Sequence, residues 1–429
     1  MIGISLSALL FILALSVPVA AALGVLTLLL IQFGTQVPLE RMIGDMAWTS
    51  MASDKLVAIP FFILMGELVL RSGLAEKMYA ALVEWLSWLP GGTMHANIGS
   101  CALFAATSGS SVATAATIGT VAMPQIEKNG YDEPLFLGSI AAGGTLGILI
   151  PPSVGLIVYG VLAEVSIPRL YLAGMIPGFL LAALFSLFIA VVCLWQREKG
   201  GRPVRTTWAA RIALLPALLP PLFIFTVVVL TIYMGIATPT EAAAFGVVAA
   251  LGLAAMTGRL NLAMLRAASE GTIRTSAMVV GIILAALVLN FVLAFLGISR
   301  QITDTIFALD LGPTGIMLAI VVLYLILGCF LEGFSIVIIT VPIIVPLVIE
   351  LGYDPIWFGI VLTLLLEAAL ITPPIGVNLY VVQSVRERGG ILDVIRGSWP
   401  FVLVMLAMVA ALFAAPGLAL WLPEFVYGS

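Results

Sequence analysis

Two stretches of the chain share one unusual pattern, SGSSVATAATIGTVAMPQIEKNGYDEPLFLG at 108–138 and LEGFSIVIITVPIIVPLVIELGYDPIWFG at 331–359. Pro124 corresponds to Pro346 at a shift of 222 residues, and the Gly-Tyr-Asp triplets and the later double prolines keep that shift. In each copy a break of the Gly/Ser type interrupts one apolar segment, and the double proline interrupts the next. Paired segments of this kind in the two halves of a membrane protein point to a transporter binding site.

The composition is that of a polytopic membrane protein. The 429 residues are 62% hydrophobic and only 9% charged, and the mean hydropathy is +1.22. The apolar runs are about 17–30 residues long, which predicts an all-α protein in a lipid bilayer, because barrel strands would be about 10 residues long and alternating. No basic stripe is present, so nucleic acid is not an expected partner. The three cysteines show neither a disulfide framework nor a metal-ligand spacing.

The hydropathy pattern predicts nine full crossings. The first lacks a basic leader region and is too long for a signal sequence, so we interpret it as a retained span. The crossings are 4–31, 57–71, 134–163, 170–195, 212–235, 240–258, 275–296, 355–384 and 398–422.

Two remaining apolar stretches, 93–128 and 313–350, are broken near their middles. The breaks are Thr107–Ser111 and Glu332–Ser335. We interpret both stretches as re-entrant hairpins, since irregular backbone at membrane depth survives only where protein or a water-filled cavity covers it. A short amphipathic stretch precedes each hairpin, at 75–89 and 299–309, and predicts a helix lying in the membrane interface.

The distribution of Lys and Arg predicts the orientation. With a cytoplasmic N-terminus, the inner loops hold all of the 18 Lys and Arg residues except Arg41, Lys55, Arg169 and Arg300. Nine crossings then place the C-terminus in the periplasm. Five crossings separate the hairpins, so the two repeats are predicted to be inverted relative to each other.

These elements predict an elevator-type division into scaffold and transport domains. Residues 1–92 form scaffold helices and the first interfacial arm, and 93–169 form the first half of the transport domain. Residues 170–312 contribute scaffold helices, a basic cytoplasmic linker and the second arm. The second half of the transport domain is 313–384, and 385–429 form a C-terminal scaffold helix.

The breaks carry the candidate chemistry. Unpaired N–H groups at a half-helix N-terminus favour anions, and freed carbonyls at an unwound turn can bind sodium. Hydroxyls and one amide add neutral oxygen ligands, which is an inventory suited to a hard cation. The candidate residues of the first half are Ser108, Gly109, Ser110, Ser111, Gly144, Thr145 and Gly147. Those of the second half are Glu332, Gly333, Ser335, Thr372, Pro373, Gly376 and Asn378.

Three carboxylates lie within apolar segments, where each needs protein or water around it. Glu332 lies at the second hairpin tip, where it could either shape an ion site or serve as a hydrogen-bond partner. Glu367 is interpreted as structural and Glu67 as a packing or subunit contact. The only histidine, His95, is expected near the cytoplasmic surface.

At these residues the chain resembles the large membrane subunit of TRAP transporters, the DctM-like family, over essentially its whole length. Three motifs carry the resemblance: SGSS at 108–111 with the Ala/Thr-rich helix after it, GTLGILIPPS at 144–153, and TPPIGVNL at 372–379.

The resemblance implies an elevator-type secondary transporter of the bacterial inner membrane that imports an organic acid, a carboxylate, with sodium as coupling ion and no organic cofactor. It implies a small DctQ-like membrane subunit and a periplasmic substrate-binding protein as partners. One sodium would bind at each pair of hairpin tip and helix break. Substrate contacts would include Ser110, Ser111, Thr114 and Asn378.

Two alternatives remain. A self-sufficient sodium/dicarboxylate symporter of the same architecture would need no binding protein. An intramembrane serine protease would pair a serine such as Ser110 with a histidine base, but the expected position of His95 does not suit that role. We therefore expect a transporter and not an enzyme.

Overall fold

The computed structural model describes residues 7–8, 11–12, 15, 17–204, 206–308, 310–386 and 388–428, without the side chains of Lys55, Ser299 and Ile302. All regular structure in these ranges is helical, as predicted. Eight residues of the predicted first crossing, 4–31, lie outside the described residues; residues 7, 8, 11 and 12 are helical, and the first helix with defined bounds begins at Val19.

From residue 17 onward, the described residues of the first part of the chain form eleven α-helices. They are α1 (Val19–Gly34), α2 (Ile43–Met51), α3 (Asp54–Arg71), α4 (Leu74–Leu86), α5 (Thr93–Ser108), α6 (Ser111–Ala122), α7 (Pro124–Asn129), α8 (Glu133–Gly144), α9 (Leu146–Leu149), α10 (Val154–Leu162) and α11 (Ile167–Trp195).

The second part adds eleven more. They are α12 (Trp208–Leu214), α13 (Leu219–Tyr233), α14 (Pro239–Met256), α15 (Leu262–Phe295), α16 (Ile298–Phe307), α17 (Gly312–Gly328), α18 (Gly333–Glu350), α19 (Pro355–Leu370), α20 (Val377–Ser384), α21 (Ile391–Ala414) and α22 (Gly417–Tyr427). Short 3₁₀ turns occur at Leu39–Met42, Arg197–Gly200 and Leu215–Leu218.

Six helical segments of the described chain are long and apolar enough to cross a membrane. They are 167–195, 208–233, 239–256, 262–295, 333–350 and 391–414. Two bent pairs could add two spans: α3 with α4, bent by 70°, and α8–α9 with α10, bent by 44°. The bends coincide with the first predicted arm and the first double proline. Breaks therefore divide several predicted crossings into helices shorter than a full span.

Two helices differ from the predicted bounds. α15 begins at Leu262, 13 residues before the predicted start of its span at 275. The charged residues that suggested a loop continue the helix instead: Asn261 caps its N-terminus, and Arg266 pairs with Glu270 one turn apart. At the C-terminus, α21 begins at Ile391 and ends at Ala414, and Pro416 separates it from α22, so the predicted span 398–422 is interrupted.

Both halves show the predicted order of elements. α5 and α6 are joined by a break at Gly109–Ser110, and α17 and α18 by a break at residues 329–332. Tyr324 on α17 donates a hydrogen bond of 2.7 Å to Thr340 on α18, which places these two helices side by side. Asp132 and Asp354 cap the helices that follow the hairpins. The inversion of the repeats and the division into domains stay predictions.

The first arm helix is attached to the first hairpin by a buried polar chain. The hydroxyl of Tyr79 on α4 donates to Asn97 Oδ1 on α5 at 2.8 Å. Asn97 Nδ2 in turn donates to the hydroxyl of Ser139 on α8 at 2.8 Å. Because buried polar groups must find partners, this chain fixes the relative positions of α4, α5 and α8.

The expected surface position of His95 is wrong. The side chain is only 2% exposed, and its two ring nitrogens lie 3.1 Å from Ser186 Oγ and 2.8 Å from the carbonyl oxygen of Pro90. The residue therefore ties the start of α5 to α11.

Helices α8 and α21 pack together along much of their length, with their backbones in contact at Gly138 and Gly397. A β-carbon on Gly138 would lie 2.1 Å from the carbonyl oxygen of Gly397, closer than any real contact. At one end of this pair the nearly buried Arg386 forms ion pairs with Glu133 at 2.6 Å and Asp393 at 3.0 Å. Small residues thus allow the close approach that membrane helices use in place of a hydrophobic driving force.

We expect Gly138→Ala to destabilise the protein by about 1–3 kcal/mol or more, because the added methyl group has no space and forces the helices apart. The unfolding temperature of the purified protein in detergent measures this. Gly252→Ala is the matched control: it also lies within a helix, but no atom lies within 4 Å of the added carbon. There we expect no loss and a gain of up to about 1 kcal/mol. Equal unfolding temperatures for both variants would contradict the packing argument.

Candidate functional site

The first turns of four helices line one cavity between the two halves of the described chain. The cavity has a volume of about 190 Å³. Its walls include the first residues of α6, α10, α18 and α20, together with side chains of α3, α15 and α19. The polar side chains among its lining residues are Glu67, Ser108, Ser110, Ser111, Tyr159, Thr275, Glu332, Thr363 and Glu367.

Local sequence explains why these helices begin here. Ser110 and Ser153 accept hydrogen bonds from the backbone N–H groups three residues later, at 3.4 and 3.3 Å, and so cap α6 and α10. Glu332 caps α18 by accepting from the N–H of Ser335 at 3.1 Å. Gly376, with a φ of +48° in the left-handed region, directly precedes the first residue of α20. The positive ends of the four helix dipoles therefore point at the cavity.

The first predicted pair of hairpin tip and helix break is assembled. A β-carbon on Gly147 would lie 2.6 Å from the backbone nitrogen of Ser111 and 2.7 Å from the carbonyl carbon of Ser110. On Gly109, it would lie 3.1 Å from the carbonyl oxygen of Pro152. The backbone of the tip therefore packs directly on the backbone of the broken helix, which explains the glycines at both positions.

Asn378 lies at this first pair, although its sequence position groups it with the second. Its side chain is fully buried, and neither its amide nitrogen nor its amide oxygen has a hydrogen-bond partner in the described chain. A β-carbon on Gly144 would lie 3.2 Å from Asn378 Nδ2 and 3.2 Å from the carbonyl oxygen of Ser111. The reason is that α20 packs against α6 and α8 of the first half.

Apart from the hydroxyl of Ser111, the hydroxyls of the first pair are bonded within it. The hydroxyls of Ser108 and Thr114 are joined by a hydrogen bond of 3.0 Å, and Thr114 donates to the carbonyl oxygen of Ser110 at 2.7 Å. Thr145 donates to the carbonyl oxygen of Ala142 at 2.6 Å, within its own helix. Ser108, Ser110 and Ser111 line the cavity, whereas Thr114, Gly144, Thr145 and Gly147 lie behind its wall.

The second predicted pair is more open. Glu332 is exposed and lines the cavity with Gly333, whereas Ser335, Thr372, Pro373 and Gly376 do not line it. The thiol of Cys329 lies 3.5 Å from the carbonyl oxygen of Pro373, which brings the end of α17 to the second break. The hydroxyl of Thr372 donates a hydrogen bond of 2.7 Å to the carbonyl oxygen of Ala368. Tip and break are thus neighbours, without the direct backbone packing of the first pair.

Two carboxylates that the sequence did not assign to a site also line the cavity. Glu367 on α19 is 1% exposed, and its Oε1 accepts a hydrogen bond of 2.6 Å from the hydroxyl of Ser111. Glu67 on α3 forms an ion pair with Arg71. The sequence feature that could have assigned both residues to the site is their charge, because a carboxylate within an apolar span is by default a candidate functional group.

Basic side chains are absent from the cavity wall as far as the described residues go. The same residues contain no group of three or more His, Cys, Asp or Glu side chains that could hold a metal ion. Any cation bound here would therefore depend on hydroxyl, amide, carbonyl and single carboxylate oxygens. An anion would depend on the helix N-termini.

A family model described as "Tripartite ATP-independent periplasmic transporter, DctM component" matches residues 6–418. Among the similar proteins is the C4-dicarboxylate TRAP transporter large permease protein DctM of Rhodobacter capsulatus, 32% identical over 95% of this chain and 96% of that protein. The ectoine/5-hydroxyectoine large permease protein UehC of Ruegeria pomeroyi is 30% identical over 93% and 92% of the two chains.

The isethionate TRAP transporter permease protein DctMQ of Oleidesulfovibrio alaskensis is 33% identical over 95% of this chain, which spans 64% of the length of that relative. Among solved structures, the YdaH transporter of Alcanivorax borkumensis superposes with a TM-score of 0.65, covering 93% of this chain and 91% of that one. At 14% identity this last likeness concerns the fold alone.

We expect Ser111→Ala to lower stability by about 1–3 kcal/mol, because the buried Glu367 carboxyl group loses its hydrogen-bond donor. The unfolding temperature in detergent measures the effect. Ser100→Ala is the matched control, since the Ser100 hydroxyl is buried on α5 without a partner in the described chain, and its removal breaks no hydrogen bond. Equal shifts for the two variants would argue against a stabilising contact at Glu367.

Proposed function

The chain belongs to the DctM family of tripartite ATP-independent periplasmic transporters, and from that premise we propose that it imports an organic acid by sodium-coupled secondary transport. As a large permease subunit it is a multi-pass membrane protein. The sodium coupling, the carboxylate substrate and the elevator mechanism are the parts we propose.

The buried amide of Asn378 carries the proposal for sodium. Leaving both polar atoms of an amide unpaired in a dry interior is costly unless a ligand binds there. The amide nitrogen of Asn378 lies beside Gly144, close to the carbonyl oxygen of Ser111, and the unpartnered amide oxygen of the same side chain is the neutral hard oxygen that we propose for the ion. Hard alkali and alkaline-earth cations prefer such oxygens. We assign one sodium to this pair, with Ser108, Gly109, Ser110, Thr145 and Gly147 shaping it.

A second sodium is proposed at the second pair. Glu332 and Gly333 at the tip, Ser335 in the next turn, and Thr372, Pro373 and Gly376 at the break would supply its oxygens and shape. The geometry of this second site supports an ion less directly than that of the first. The proposal therefore rests on the matching order of helices in the two halves. A cation at each pair would offset the carboxylates of the cavity.

The substrate carboxylate is proposed to bind at the helix N-termini. The first turns of α6, α10, α18 and α20 direct N–H groups and dipole ends toward the cavity, and such ends favour anions. Ser110, Ser111, Thr114 and Asn378 are the proposed substrate-contacting residues. Ser110 and Ser111 line the cavity, whereas Thr114 and Asn378 are buried beside it and would have to be uncovered to touch the substrate. The relatives named for C4-dicarboxylate, ectoine and isethionate differ in substrate, so the proposal concerns the chemical class.

In the proposed elevator cycle the two hairpins and broken helices carry substrate and sodium across the bilayer together. A monoanion moving with two sodium ions would carry net positive charge inward. An inside-negative potential would then assist uptake, at about 2.3 kcal/mol per charge and 100 mV.

We propose the bacterial inner membrane as the location, with the N-terminus cytoplasmic and the C-terminus periplasmic, from the distribution of Lys and Arg.

The proposed partners are a small DctQ-like membrane subunit and a periplasmic binding protein that delivers the substrate. The relative named DctMQ is consistent with the first. The alternative is a self-sufficient sodium/dicarboxylate symporter of the same architecture, which would need no binding protein.

Substrate uptake into proteoliposomes tests the proposal. The protein is reconstituted with its small subunit, and uptake of candidate organic acids is measured with and without a sodium gradient and with and without the binding protein. We expect uptake to need both. Uptake that needs sodium but no binding protein would favour the symporter, and uptake indifferent to sodium and potential would refute the coupling.

We expect Asn378→Ala to raise the sodium concentration for half-maximal uptake by roughly tenfold or more, because one oxygen ligand is lost. Asn290→Ala is the matched control, since that amide lies on α15 outside the cavity. An unchanged sodium dependence in Asn378→Ala would remove the amide from the ion site.

A further inference from the structure

Glu367 has one carboxylate oxygen that no described group satisfies. Oε1 accepts the hydrogen bond from Ser111, whereas Oε2 is buried and without a partner. The side chain is 1% exposed and belongs to the cavity wall. The residue lines the cavity together with the first hairpin tip, but Oε2 itself is shielded from water.

The surrounding charges do not neutralise this carboxylate. Two basic residues adjoin lining residues in sequence. Arg274 is exposed, and Arg71 is already paired with Glu67 at 2.5 Å and also donates to the carbonyl oxygen of Ala267 at 3.4 Å. Glu332, another acid of the wall, is occupied with capping α18. A buried ionised carboxylate needs a counter-charge, and the dipole of α6, whose first residue is Ser111, supplies only about half of one.

We propose that Glu367 binds one further coupling sodium ion directly through Oε2, in addition to the ions proposed at the two pairs of tip and break. The inference rests on the proposed sodium coupling and deepens it. A dehydrated monovalent ion suits the position, because the unpaired oxygen is buried too deeply for a solute to reach. Ser108 and Ser111 line the same cavity, and their hydroxyl oxygens, although hydrogen-bonded to Thr114 and Glu367, keep lone pairs that can serve as further ligands.

This site would link ion occupancy to the position of the hairpin tip. Ser111 is the first residue of α6 and is held by Glu367 from the second half of the chain. The backbone of Ser111 also packs on Gly147. A cation at Glu367 neutralises the carboxylate while the tip is seated against α19, whereas an empty site leaves a buried charge that favours moving the tip and admitting water.

The experiment compares Glu367→Gln with the wild-type complex reconstituted with its small subunit. Two quantities are measured: the sodium concentration that half-maximally raises the unfolding temperature, with choline as the reference cation, and the ratio of radioactive sodium to solute taken up. Glu84→Gln is the matched control. Glu84 on α4 also has a buried, unpartnered Oε2 but lies outside the cavity.

In Glu367→Gln we expect the half-saturating sodium concentration to rise roughly tenfold or more, since affinity for hard cations increases with the charge of the oxygen ligands. We expect the sodium-to-solute ratio to fall by one, and Glu84→Gln to match the wild type. If Glu367→Gln does not fold, Glu367→Asp keeps the charge with a shorter reach and should still raise the half-saturating concentration.

Unchanged sodium affinity and ratio in Glu367→Gln, or an unchanged affinity in the Asp variant, would overturn the inference and leave the proposed function standing. A variant that loses only a pH dependence, with its sodium ratio intact, would also overturn it by assigning a proton to Glu367. A wild-type complex indifferent to sodium in both measurements would instead refute the sodium coupling itself.

Discussion

The architecture depends on covering helix ends that lie inside the molecule. In hydrocarbon no water can satisfy the free N–H groups of α6, α10, α18 and α20, so other parts of the protein must. Ser110, Ser153 and Glu332 satisfy some of them as caps. The remainder face a shared cavity, and that concentration of unpaired donors and dipoles is the physical basis for binding a solute there.

Glycine makes this arrangement compact. Gly147 and Gly138 lack the β-carbon that would keep two backbones apart. Gly147 lies between the hairpin tip and the broken helix, and Gly138 lies between α8 and α21. Polar contacts then fix the register: Tyr79, Asn97 and Ser139 join three helices, and Ser111 with Glu367 joins the two halves. Stability and the candidate ion chemistry consequently depend on the same short segments.

The sequence was sufficient to predict the helical class and the breaks at the hairpin tips and double prolines, because Gly, Ser and Pro act locally on the backbone. Tertiary placement was harder to predict. Asn378 belongs by sequence to the second break but lies at the first, and Glu367, expected to be structural, lines the cavity. The burial of His95 was not predicted, because a single histidine forms no sequence pattern that indicates whether it is buried or exposed. The extension of α15 was missed because charged residues, which are frequent in loops, can also continue a helix past the end of its apolar segment.

The pairing of α8 with α21 has a consequence for how the chain is made. Residues 133–144 leave the ribosome about 250 residues before 391–414, the segment on which they pack. Until the last long helix is made, the groove at Gly138 has no helix to fill it, and Glu133 has no Arg386 with which to form its ion pair. The first half of the binding region therefore reaches its final packing only once the last long helix has entered the bilayer, so a nascent chain interrupted before that point is exposed to membrane quality control.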